Sequence, residues 1–65
     1  MNYVETMRNL YEMRDSIVER IERVDYALSL MSGAETYDKG VLIGFKGALE
    51  VVNTQLVKII KEVKP

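Results

Sequence analysis

Apolar residues recur at alternating spacings of three and four along the first half of the chain. Tyr3, Met7, Leu10, Ile17, Ile21, Val24, Leu28 and Met31 keep this repeat, and Arg14 fills the one gap in it. The spacing places them on one stripe of a helix and predicts a helix over about residues 2–32. A second row, Val4, Tyr11 and Val18, widens the stripe to nearly half the helix surface. Asn2 suits the N-cap position, with Glu5 three residues on as its capping-box partner. Ser32-Gly33 is the natural stop, because glycine tolerates the left-handed backbone that often ends a helix.

A turn is expected over about residues 33–38. Thr36, Asp38, or Ser32 together with Glu35 are alternative caps for a second helix. From about residue 39 to residue 63 a second helical repeat runs through Leu42, Phe45, Leu49, Val52, Leu56, Ile59 and Val63, flanked by Val41, Ala48 and Ile60. The β-branched content of this half invites a strand reading, but strict alternation fails while the heptad holds, which decides for helix. Lys58, Lys61 and Lys64 near the end complement the helix dipole, and Pro65 cannot continue the helix.

Two helices of similar length joined by a short turn define an all-α, antiparallel two-helix hairpin over residues 1–65. A hairpin buries one seam from each helix, and these stripes are wider than that. Val4, Tyr11 and Val18 on the first helix, with Val57 and Ile60 on the second, are expected to remain uncovered. Apolar patches of this kind usually mark an interface. Assembly into a helical bundle or a small ring oligomer would cover them. Arg14 and Asp25 interrupt the apolar face of the first helix. Their separation suits an ion pair between chains in a symmetric antiparallel contact, so the expected oligomer interface comprises Val4, Tyr11, Arg14, Val18, Asp25, Val57 and Ile60. The competing reading makes Arg14 part of a pocket for a phosphate or carboxylate.

Composition narrows the chemistry. The chain has 65 residues, no Cys and no His. Thiol and imidazole catalysis and His/Cys zinc sites are therefore absent, and no enzyme, cofactor or metal site is expected. Glu12, Asp15, Glu19 and Glu22 read as a solvated face with pairs such as Arg8–Glu12 and Glu19–Arg23. A net charge of −1 gives no field for a nucleic-acid polymer. No apolar run approaches a membrane span, and the opening residues do not read as a signal peptide, so a cytoplasmic location is expected. Gly40, Gly44 and Gly47 fall within two turns, which fits either close approach by a partner or a frayed helix start. Tyr26 points away from the seam and Tyr37 falls in the turn.

The long first helix from the Tyr11-Glu12-Met13-Arg14 region, the short turn, the apolar second helix and the terminal Pro65 resemble the layout of small phage proteins that sequester cyclic-nucleotide signals of bacterial CBASS immunity. The resemblance runs in pattern from Tyr11 to Pro65. It implies a compact oligomer of antiparallel helices, acting in the host cytoplasm, with a tyrosine and a lysine at the ligand. Two functions are expected. The first is a non-catalytic, self-associating helical protein that binds a protein partner as an adaptor or small inhibitor. The second is a sponge holding a small anionic ligand, such as a cyclic nucleotide, between subunits, with a polar pocket near Tyr11, Arg14, Lys39 or Lys46.

Overall fold

The computed structural model describes residues 2–31 and 36–63 of the chain. Two helices of equal length, α1 (Tyr3–Leu30) and α2 (Thr36–Val63), pack side by side as an all-α hairpin. The hairpin is a rod of 50 × 15 × 15 Å. At about 1.5 Å per residue each helix runs roughly 42 Å, so the pair is in contact along most of the rod.

The N-terminus of α1 forms for the reason its sequence suggests. The Asn2 Oδ1 accepts the Glu5 N–H at 2.8 Å, and the Thr6 hydroxyl donates to the Asn2 carbonyl at 3.0 Å. Asn2 itself is extended, as a capping residue must be. The other end departs from expectation. α1 stops at Leu30, Met31 turns extended at φ −83° and ψ 138°, and its N–H closes back on the Leu28 carbonyl at 3.2 Å. The helix thus ends before Ser32-Gly33, and both residues lie outside the described ones. α2 begins at Thr36, three residues earlier than the apolar pattern implies. Its first turn holds Thr36, Tyr37 and Asp38, and the Asp38 carboxylate sits at the positive end of the dipole. Apolar periodicity is blind to that turn because the turn is exposed.

The core is thin. Met7 and Val24 of α1 and Leu56 and Ile60 of α2 are the buried hydrophobic residues. Met7, Leu56 and Ile60 form one cluster, with Leu10, Tyr11 and Ile17 packed against it. On α1 the buried or half-buried stripe is Met7, Leu10, Arg14, Ile17, Ile21, Val24 and Leu28, the seam read from the sequence.

On α2 the seam is different. The inward residues are Lys39, Leu42, Lys46, Leu49, Asn53, Leu56 and Ile60. Phe45, Val52 and Ile59, expected inside, are 51%, 51% and 45% exposed. Both rows are heptads and both share Leu42, Leu49 and Leu56, so α2 carries two overlapping seams about half a residue's rotation apart. The hairpin buries the one with the polar residues. Ile60 is consequently 5% exposed, which corrects the expectation that it would be left for a second chain. Its neighbour Val57 is half-buried.

Candidate functional site

The residues singled out from the sequence fall at two levels of the rod. Arg14 and Tyr11 lie on α1 at the Met7–Leu56–Ile60 end. The Arg14 guanidinium carbon stands 4.9 Å from the Tyr11 ring centroid, a cation over an aromatic face. Its Nη2 donates to Asp15 Oδ1 at 3.3 Å. Tyr11 packs on the core cluster, which fixes the ring on which the guanidinium rests.

Lys46 sits about two turns further along the rod, where its ammonium meets Asp25 Oδ1 across the hairpin and lies 3.7 Å from Glu50 on its own helix. The Asp25 carboxylate is the leading reason that the lysine is held above its ordinary value of 10.5. Partial loss of water pulls the other way, and the charges of Asp25 and Glu50 add to the rise. Asp25 therefore has a lysine of its own chain as its partner, where the sequence reading expected Arg14 of another chain. The sequence reading missed this because it treated the helices one at a time. Only the antiparallel register, with Met7 beside Ile60, brings residue 25 beside residue 46.

Lys39 lies half-buried about two turns beyond Lys46, near the start of α2. Within one chain, Tyr11 and Arg14 are thus separated along the rod from Lys46 and Lys39, and the four do not line one pocket. The polar side of α1 does hold its expected pair, with Arg23 donating to Glu19 at 3.1 Å. A shallow open groove of about 500 Å³ lies on α1 among Asn9, Glu12, Met13, Ser16, Ile17 and Arg20.

Asn53 carries a signal not seen in the sequence. Its side-chain Oδ1 is buried and has no hydrogen-bond partner. The register places it level with Arg14, whose guanidinium is turned instead to Asp15. A cationic and an amide side chain thus share one layer of the seam without satisfying each other.

The two broad faces of the rod differ. Asp25 follows Val4, Tyr11 and Val18 at heptad spacing and meets Lys46, so these residues share one face with Lys46. Val4 is exposed, Val18 is at the edge of exposure, and Tyr11 is half-buried. On α2, Phe45 flanks the Leu42–Leu49–Leu56 row on the side away from Lys46. The opposite face of the rod therefore carries Val41, Phe45, Val52 and Ile59, all exposed, with Met13 from α1, and Val63 is exposed at the end of the Leu42–Leu49–Leu56 row beside them. Ile43 is exposed on the first face, but the second face has the longer exposed apolar row, and it contains none of the expected interface residues. The glycines Gly40, Gly44 and Gly47 look away from the seam into open space, with nothing within 4 Å of a built Cβ.

Among the described residues, no helix is long and apolar enough to cross a membrane. No family model, curated protein or solved structure matches the chain.

Proposed function

We propose that this chain is a non-catalytic, self-associating helical protein that acts by binding a protein partner. The observation that supports it is the apolar row of α2 that the hairpin leaves in water. Phe45 and Val52 are each 51% exposed on a helix whose buried side already serves α1. A helix that is apolar on two adjoining sides is built to meet more than one other helix. This reading makes binding rather than chemistry the activity. The test is native mass measurement on the full chain at micromolar concentration. At least a dimer is expected, together with any macromolecule retained through purification. A stable 7.5 kDa monomer with a cooperative melt would overturn the proposal.

The Arg14–Tyr11 stack favours a second reading, the sequestration of a small anionic ligand between subunits. A guanidinium 4.9 Å from a ring centroid offers a phosphate partner beside an aromatic surface. Lys39 or Lys46 would then come from another subunit, since one chain does not bring them to Arg14. Calorimetry with cyclic nucleotides tests this: uptake by the unaltered chain that is lost in Arg14→Leu supports it, and absence of uptake dismisses it.

A further inference from the structure

We propose that the Val41–Phe45–Val52–Ile59–Val63 row is covered by the same row of a second copy of this chain, running antiparallel about a two-fold axis at Val52. This rests on the self-association reading and names its face and symmetry.

Three observations carry it. The first is area. The chain exposes 4981 Å² of surface. A compact protein of its 7.5 kDa mass exposes about 4,250 Å². The excess, about 700 Å², approaches the roughly 800 Å² per partner that a stable interface removes from water. One symmetric contact of ordinary size would bring the chain to the exposure expected of a compact fold.

The second is the spacing of the row. Val41 and Val63 lie eleven residues either side of Val52, and Phe45 and Ile59 lie seven either side. In an antiparallel contact centred on Val52, each Val41 falls level with a Val63, each Phe45 with an Ile59, and each Val52 with itself. The five residues themselves carry no charge, and Gln55 and Glu62 lie beside them at the heptad position of Val41. An isologous contact fits this spacing, because the same patch must serve both sides.

The third comes from α1. The register of the hairpin sets Val52 about level with Asp15, so the same axis lays α1 antiparallel over its own copy near that point. Met13 is exposed there on the same face as Phe45. Met13, Ser16, Ile17 and Arg20 line the groove of α1 at the spacing i, i+3, i+4, i+7, which is the four-residue hole of knobs-into-holes packing. Met13 of the second copy falls level with Ile17, over that hole.

Because the chain has no cysteine, single introduced thiols report position directly. Val52→Cys places a thiol on the axis, and Val18→Cys places one on the opposite broad face. Under mild oxidation, or with a short bismaleimide, Val52→Cys is expected to give a covalent dimer on a denaturing gel while Val18→Cys stays a single chain. Cross-linking at Val18 and none at Val52 overturns the face and leaves self-association standing. A monomer by light scattering of the unaltered chain overturns both. The register is tested by charge. Phe45→Glu alone and Ile59→Lys alone should each raise the dimer Kd by at least about a hundredfold, since each buries unpaired charge. Combined in one chain they face each other twice across the axis and should restore affinity to within about tenfold of the unaltered protein. Failure of the double variant to recover any affinity overturns the antiparallel pairing.

Discussion

Asn53 occupies a seam position of α2, and its side-chain Oδ1 is buried without a partner. Replacing it with leucine should stabilise the protein. Removing a stranded buried carbonyl recovers about 1–3 kcal/mol. A leucine at this half-buried position adds about 1 kcal/mol of apolar burial, offset in part by imperfect fit beside Arg14. The expected net gain is about 2 kcal/mol, which for a domain of this size raises Tm by roughly 8–16 °C. Urea melts at one fixed protein concentration give the stability directly, provided that the slope is unchanged between variants. Lys58→Leu, on the exposed side of the same helix, is the control and should stay within about 0.5 kcal/mol of the unaltered chain. A loss of stability in Asn53→Leu would refute the reasoning, because it would mean that the amide is satisfied and holds the layer together. Stabilisation accompanied by a mixture of hairpin registers would instead show that the amide selects register at a cost in stability, as single polar seam residues do in coiled coils.

Leu56→Ala should cost about 2–5 kcal/mol at every protein concentration, because Leu56 is buried within one chain; chemical denaturation at several concentrations checks this. Gly44→Ala should stabilise by about 0.5–1 kcal/mol, since an added Cβ meets nothing and the residue is inside a helix. A double-mutant cycle on Asp25 and Lys46 should show a small but non-zero coupling, as solvent-screened ion pairs do, whereas the Arg14 and Asp25 cycle should be additive. Because folding raises the Lys46 pKa, the contribution of that pair is fully present below 10.5 and is lost as pH climbs through the higher folded value. Melts across that alkaline range should show the loss in the unaltered chain and a smaller one in Lys46→Met.

How far each element could be read depended on whether its pattern had one solution. The first helix had one. Met7, Leu10, Ile17, Ile21, Val24 and Leu28 form a single heptad row, Asn2 and Glu5 mark its start, and the structure has that cap and that seam. Fold class was legible as well, because two long amphipathic segments and a short connection leave little besides a hairpin. The second helix was legible as a helix but not as an orientation. Its two apolar rows share Leu42, Leu49 and Leu56, and the more hydrophobic row, through Phe45, Val52 and Ile59, reads as the natural inside. The structure buries the row through Lys46 and Asn53. Periodicity reports how apolar a face is, whereas burial is settled by what stands opposite. Asp25 opposite Lys46, and Met7 opposite Leu56 and Ile60, are facts about two segments at once, and they exist only when the register is set. For the same reason the sequence placed the uncovered apolar surface on the Val4–Tyr11–Val18 side, while the tertiary structure leaves the longer exposed apolar row on the other side. What the sequence determined alone was the pair of helices and their surplus of apolar surface. Which surface remains in water was decided by the pairing of the helices, because rotating α2 by about half a residue exchanges a buried row for an exposed one without changing anything that the helix itself records.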